Sequence, residues 1–335
     1  MGDIEQQNRE FAQQTPAAQP LPLNWDALVS DSLNQFLHAF QQIPIRVPST
    51  QAEAKIIYVH APYMQGSVAW LKDGQKRLGD DVLARLQNVA AARMQAPEAT
   101  RQLLQQHLYT AEGQERLVAQ GRATSLAIQQ LLQTAVYAHV VPTKAGNRCP
   151  DAQDCRAWLQ TYGIGVDCSA FVQQALTHLV KASNHATGKE QSAIDADAVG
   201  WIRSVTVYQE VQQGNGRFTA IHTPQDARPG DVLVCSGHIR MVVRGETAVT
   251  GHILHLVEST SKEGVPLGCQ LITTDVGPQS IQVTYPLPQK AIAHQTPWVK
   301  RPHDPEFHPD AQESTYILGR LKTLAQFVDD NGLRL

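Results

Sequence analysis

Cys168 has the sequence context best suited to nucleophilic chemistry. Apolar residues follow it at helical spacing, at Phe171, Val172, Ala175, Leu176 and Leu179. This pattern predicts an amphipathic helix that begins at Cys168, with Asp167 as its N-cap and the bend at Gly163 and Gly165 before it. The N–H groups and dipole of the first turn favour a thiolate and can hold an oxyanion. A free cysteine on a core-facing helix is also commonly inert. The position at a capped helix start favours a nucleophile of low pKa.

His238 is the predicted base. Pro229-Gly230 has turn composition, Asp231 to Cys235 reads as a strand, and Ser236-Gly237 reads as the link of a hairpin whose second strand begins at His238. An imidazole at a strand end can meet a neighbouring helix start and activate a thiol. The sequence has 13 histidines, so an ordinary strand-end histidine is the alternative.

A third polar residue would orient the imidazole and determine its tautomer. Glu258, in the run Leu256-Val257-Glu258-Ser259, fits this role, and His255 is the alternative. Residues three apart on a regular strand point to opposite faces, so only one of the two can face the helix that carries Cys168. We expect Glu258, because a carboxylate also stabilises an imidazolium.

These segments resemble the NlpC-type cysteine peptidases of bacterial cell-wall metabolism. The resemblance consists of Asp167-Cys168-Ser169-Ala170-Phe171-Val172, then Pro229-Gly230-Asp231 and His238 with their apolar strands, within residues 166–260. It implies a papain-like α+β fold, amide hydrolysis through a thioester, and the stem peptides of peptidoglycan as substrates. It also implies substrate contacts from Asp167 and Ser169, and no cofactor.

The approach to Cys168 departs from the family pattern. Family members that cut wall peptides usually carry Tyr-x-Trp-Gly-Gly about ten residues before the cysteine, whereas this chain has Trp158 and Tyr162 in a different spacing. Tyr162 is our candidate for the missing aromatic in the substrate pocket. Two alternatives stay open: a related thiol acyltransferase or protein deamidase, and a catalytically inactive binding protein on the same fold.

The flanking segments predict the organisation of the chain. Residues 1–23 have the Gln-, Ala- and Pro-rich composition of a disordered tail, and residues 24–142 have mainly helical periodicity. Helical patterns include one that begins after Asn24 and others within 80–90 and 103–136, and 55–59 reads as one strand. A Pro- and Gly-rich loop at 142–150 suggests a boundary, so 143–325 is the predicted catalytic domain and 326–335 a C-terminal tail.

Composition excludes several classes of protein. The net charge of −3 gives no bulk attraction to phosphate backbones, so we expect no nucleic-acid partner. No run approaches the ~18 apolar residues of a membrane span, and the N-terminus lacks a standard signal peptide. Five cysteines cannot form a complete set of disulfides. Cys149 and Cys155 in the loop suggest a disulfide or two unrelated thiols rather than a metal site, and we expect no metal.

Synthesis in the cytoplasm would separate a wall hydrolase from its substrate. One resolution is delivery by a dedicated secretion apparatus as an antibacterial effector, which would call for an immunity protein as a further partner. Another is turnover of imported wall fragments. The sequence does not separate the two.

Overall fold

The computed structural model of the protein describes residues 24–48, 54–63, 121–137, 139, 141–144, 149–161, 164–188, 199–222, 224–235, 237–248, 251–262, 265–276, 281–285, 292–295 and 316–330. The predicted tail at 1–23 and the helical patterns at 80–90 and 103–120 lie outside these residues. Within the described residues the chain is a mixed α+β structure of helices and antiparallel sheet.

The described helices are α1 (Trp25–Gln41), α2 (Ser125–Tyr137), α3 (Ala152–Thr161), α4 (Cys168–Thr187), α5 (Ser204–Gln213) and α6 (Lys322–Asp330). The predicted helix starts at Asn24 and Cys168 are confirmed. Asn24 caps α1 by accepting a hydrogen bond from the Ala27 N–H at 3.1 Å. Cys155, expected in a loop, lies buried within α3.

The described strands are β1 (Ile43–Val47), β2 (Lys55–Val59), β3 (Phe218–Ile221), β4 (Val232–Cys235), β5 (His238–Ala248), β6 (Gly251–Lys262), β7 (Val265–Val276), β8 (Ile281–Tyr285), β9 (Ile292–Gln295) and β10 (Ile317–Leu321). Strands β1 and β2 pair with each other. The other eight form one sheet in the order β3-β10-β4-β5-β6-β7-β8-β9, with antiparallel neighbours. The predicted strand at 55–59 is confirmed, and so is the hairpin whose second strand begins at His238.

The main hydrophobic core lies between this sheet and the helices. Helix α4 packs on β5 and β6, and α1 packs on α4, β5 and β7. The core includes Val29 from α1, Ile128 from α2, Phe171 from α4 and Met241 from β5. Described elements on both sides of the predicted boundary at 142–150 therefore share one core. Whether 24–142 is a separate unit stays a prediction.

The C-terminal tail was predicted to begin at 326, and this is wrong for its first residues. Residues 322–330 form α6, which buries Leu324, Phe327 and Val328. The apolar residues recur every three or four positions along the helix, so this amphipathic segment has a face to bury. Residues 331–335 lie outside the described part of the chain.

The turn before β4 is held by contacts from both ends of the chain. Gly230 has φ of +94°, a conformation that favours glycine, and a Cβ there would lie 3.2 Å from Leu324 and 3.3 Å from Leu179. The Trp25 indole donates a hydrogen bond to the Pro229 carbonyl at 3.2 Å. This turn sets the start of the hairpin that carries His238.

Candidate active site

Cys168 is the first residue of α4, and its approach is held in place from three directions. Asp167 caps the helix by accepting from the Ala170 N–H at 2.5 Å. The Asp167 N–H donates to the Gly121 carbonyl at 2.7 Å. The Val166 carbonyl accepts from the Ser259 hydroxyl of β6 at 2.7 Å. Cys168 is therefore positioned by the N-terminal half of the chain and by the sheet, as well as by its own helix.

The Cys168 thiol is buried, with 6% of the residue exposed. Its sulfur lies 3.9 Å from the Ser169 hydroxyl, and the backbone of Ile239 acts to lower its pKa. Burial, and to a lesser degree the Asp167 carboxylate, raise the pKa of the Cys168 thiol to about 12. The expected low pKa is therefore wrong for this closed arrangement, because desolvation of the thiolate outweighs the helix start.

His238 is the first residue of β5, and its ring contacts Glu258 on β6. The Nε2 atom lies 2.7 Å from Glu258 Oε2, and both side chains are buried. A carboxylate can only accept, so Nε2 carries the proton and Nδ1 carries the lone pair of the neutral ring. Burial, followed by the charge of Arg240, lowers the pKa of His238, and Glu258 offsets part of this effect. The ring is thus neutral and oriented by a carboxylate.

Glu258 is the centre of a buried polar cluster. Arg240 Nε donates to the same Oε2 atom at 2.6 Å, and Gln270 Nε2 donates to Oε1 at 2.9 Å. The Arg240 guanidinium also lies 4.8 Å from the centre of the Tyr316 ring. Burial alone would raise the pKa of Glu258, but Arg240 and His238 outweigh it and lower the pKa to about 2. The carboxylate is ionised at all ordinary pH values.

The residues of β5 and β6 near the site lie on two different sides of the sheet. Ile239, Met241 and Val257 belong to the core that contains Cys168, whereas Val242 and Leu256 belong to a second cluster. Strand alternation puts His238, Arg240 and Glu258 on the side of the second cluster. Whether His238 and Glu258 reach the Cys168 thiol stays a prediction. The thiol lies near the Ile239 backbone, one residue along β5 from His238.

His255, the alternative orienting residue, lies elsewhere. Its Nε2 atom is 3.0 Å from Glu246 Oε1, near the exposed end of the β5–β6 hairpin. Burial and the charge of Arg244 lower the pKa of His255, and Glu246 acts in the opposite direction. The structure thus brings Glu258, and not His255, to the imidazole of His238. The catalytic roles of these residues stay predictions.

The predicted substrate contacts have structural partners of their own. The Asp167 carboxyl, which caps α4, is buried. Burial raises its pKa to about 6, although the hydrogen bond from the Ala170 N–H and the charge of Arg122 act to lower the pKa. The Ser169 hydroxyl accepts from the Ser204 N–H at 3.1 Å. Tyr162 lies outside the described residues, so its place in the pocket stays a prediction.

Reasoning from sequence missed Arg240, Gln270 and Arg122. Arg240 had a usable signal, because residues two apart on a strand share a face and Arg240 follows His238 by two. Gln270 pairs with Glu258 across β6 and β7, and this register was not predictable. Arg122 is 46 residues before Cys168 in sequence and reaches it only through the tertiary fold.

All five cysteines are free thiols. The loop disulfide considered for Cys149 and Cys155 is therefore absent, and Cys149 Sγ lies against the Pro48 carbonyl at 2.6 Å. Among the described residues, no group of three or more His, Cys, Asp and Glu side chains could hold a metal ion. In the same residues, no helix is both long enough and apolar enough to cross a membrane.

Comparison with known proteins adds no relative. No model of a protein family, no curated protein sequence and no solved structure matches this chain. The geometry around Cys168 and the resemblance of short motifs are therefore the two indications of function.

Proposed function

We propose that the protein is a cysteine hydrolase with a papain-like core that cleaves amide bonds through a thioester. The observation that carries this proposal is the buried His238–Glu258 hydrogen bond of 2.7 Å, one residue along β5 from Ile239, whose backbone influences the Cys168 thiol. A nucleophile, a base and a group that orients the base are the components of such a site.

The pKa directions support one order of proton transfer. Burial keeps the Cys168 thiol protonated and the His238 ring neutral at pH 7. The thiol proton therefore passes to His238 as the sulfur attacks the carbonyl carbon, rather than beforehand. His238 then gives this proton to the leaving amine as the C–N bond breaks, and water, deprotonated by His238, hydrolyses the thioester. Glu258 keeps Nε2 protonated and stabilises the transient imidazolium.

Peptidoglycan stem peptides are the proposed substrate class, on the motif resemblance. The first turn of α4 supports acyl chemistry because its N–H groups can stabilise the oxyanion of a tetrahedral intermediate. Delivery by a secretion apparatus as an antibacterial effector is the setting that brings such an enzyme to its substrate. Deamidation or acyl transfer would use the same thioester and differ in the group that attacks it.

The burial of the site favours one second candidate, an inactive binding protein. His238 is only 3% exposed and Cys168 only 6%, so a substrate reaches the sulfur only after a local opening. Hydrolysis distinguishes the two candidates, because a binding protein would show none under any condition.

The test is digestion of purified peptidoglycan, with mass analysis of the released fragments. The wild-type protein should release peptides cut at one amide bond. Cys168→Ala should release none, while Cys155→Ala, which removes a buried thiol from α3, is the matched control and should retain activity. Equal product from wild type and Cys168→Ala would reject Cys168 as the nucleophile, and no product from either would favour the binding protein.

A further inference from the structure

A second group of polar residues lies beside Cys168, on the side of α4 that faces residues 199–204. Arg122 bridges to Val166 through the backbone, two residues before the nucleophile. Its guanidinium donates to Gln173 on the second turn of α4 and lies 3.5 Å from the centre of the Trp201 ring. Arg122 itself belongs to the N-terminal half of the chain and lies outside the segment that resembles a known family.

The Arg122 guanidinium is held in a defined orientation. The Gln173 carbonyl that accepts from Arg122 also accepts from the Ile202 N–H at 3.0 Å. The Arg122 backbone carbonyl accepts from Gln174 Nε2 at 3.3 Å. A guanidinium held by a hydrogen bond at one side and an indole at one face loses little entropy when it binds a ligand.

The charges around this group are unbalanced in favour of cations. Burial lowers the pKa of Arg122, and so does the like charge of Arg203, whereas Asp167 and Cys168 act in the opposite direction. The Asp167 carboxyl is itself buried, and burial raises its pKa. The guanidinium groups of Arg122 and Arg203 thus repel each other near Cys168. The buried carboxyl of Asp167 offsets part of this repulsion. An additional anion there would relieve their repulsion.

Trp201 supplies the apolar wall of the same group. The residue is 49% exposed, although it lies next to the fully buried Ile202. A large aromatic side chain that is half exposed beside a fixed cation is typical of a binding surface for a ligand with both apolar and charged parts.

We propose that Arg122, Arg203 and Trp201 form an anion-binding subsite next to Cys168, which takes a carboxylate of the substrate near the scissile amide. Arg122 is the principal ligand, because its planar group can bind a carboxylate through two hydrogen bonds. Arg203 adds a second positive charge from the segment 199–204, and Trp201 packs against the adjoining substrate atoms. The subsite deepens the proposed function, since it names the substrates as acidic peptides, and it rests on that function for the identity of the peptide.

The test compares two reagents that alkylate Cys168. Iodoacetate is an anion and iodoacetamide is its neutral analogue of similar size. Any opening that exposes the thiol affects both reactions equally, so its contribution cancels in the ratio of their rates. In the wild-type protein, iodoacetate should be favoured about tenfold relative to the ratio measured with free cysteine. The rates are read by mass mapping of Cys168, so no turnover is required.

Variants assign the effect to the subsite. Arg122→Gln should bring the ratio down to that of free cysteine, and Arg122→Lys should retain part of the preference because the charge stays without the planar fork. Arg244→Gln, which removes an exposed arginine paired with Glu246, is the matched control and should leave the ratio unchanged. A wild-type ratio equal to that of free cysteine, or an unchanged ratio in Arg122→Gln, overturns the proposal. If circular dichroism shows Arg122→Gln to be unfolded, Arg203→Gln decides: a lowered ratio supports the subsite and an unchanged ratio overturns it.

The substrate is tested with two synthetic stem peptides that differ only in one carboxylate beside the scissile amide, which is free in one and amidated in the other. The wild type should have the lower KM for the free acid, and Arg122→Gln should remove this difference. If neither peptide is cleaved while the alkylation ratio favours iodoacetate, the proposed hydrolysis fails and the subsite stands. If both are cleaved equally and the ratio is flat, hydrolysis stands and the subsite fails.

Discussion

Two buried carboxylates, Glu258 on β6 and Asp231 just before β4, are each paired with an arginine but differ in electrostatics. The Asp231 carboxyl accepts from Arg320 Nε at 2.8 Å and from the Arg228 N–H at 2.6 Å. Burial nevertheless raises its pKa. The pKa of Glu258 is lowered to about 2 despite complete burial. The arginine lowers the carboxyl pKa at both sites, but only at Glu258 does the sum of such effects outweigh burial.

The difference follows from how completely each carboxylate is surrounded. The side chain of Arg240 is fully buried beside Glu258, whereas that of Arg320 is 22% exposed. Glu258 also receives hydrogen bonds from His238 and Gln270. Asp231 closes the turn before β4, so its role is structural, whereas Glu258 shares one oxygen with the imidazole of the candidate base. A carboxylate that must orient a base needs a permanent charge, and Arg240 supplies the compensating one.

The largest expected difference is in stability after loss of each arginine. Arg240→Met leaves the Glu258 charge buried, so we expect a loss of about 3–5 kcal/mol. Arg320→Met should lose less, about 1–2 kcal/mol, because the Asp231 carboxyl can take up a proton or water more readily. Urea unfolding at pH 7 measures both. An equal or larger loss in Arg320→Met would contradict the distinction.

Replacement of each carboxylate by its amide should separate the two sites by activity. Glu258→Gln should keep the fold but reduce turnover about 10²-fold. In an unrelated serine protease, the amide replacement of the orienting carboxylate costs about 10⁴-fold because it holds the histidine in the wrong tautomer. Asp231→Asn should change stability and leave turnover per folded molecule near wild type. Fragment release from peptidoglycan, normalised to folded protein, checks this. The reverse pattern would make Asp231 the functional carboxylate.

The two sites should also respond to acid in opposite directions. The lowered pKa of Glu258 stabilises the fold above its ordinary value of 4.5, and this contribution is lost as pH falls towards about 2. The raised pKa of Asp231 means that its ionisation costs stability, so protonation at low pH removes that cost. The stability difference between wild type and Glu258→Gln should therefore narrow from pH 5 to pH 3, by roughly 2 kcal/mol. Urea unfolding across this range tests the sign, and a difference that widened would refute it.

The smallest expected effect is at His255. His255→Ala removes a partly exposed pair with Glu246, so we expect a change within about 0.5 kcal/mol and unchanged turnover. The measurement is the same digestion and unfolding assay. A crippled His255→Ala beside a normal Glu258→Gln would exchange the two roles.

Local sequence patterns predicted several elements of this structure. The helix that begins at Cys168 and its Asp167 cap follow from apolar spacing and one short side chain, and both are observed. The hairpin between Cys235 and His238 follows from turn composition and is paired as expected. These features depend on residues a few positions apart, which is the range over which backbone periodicity acts.

What the sequence determined by itself is therefore the set of local elements that carry Cys168, His238 and Glu258. The tertiary structure decided the pKa directions, the side of the sheet on which Glu258 lies, and the approach of Arg240 and Arg122. A pKa depends on burial and on charges brought together from distant segments, and neither quantity is encoded in local spacing. Helix α4 favours a thiolate at its start, and only the packing of the whole core around that start keeps the thiol protonated.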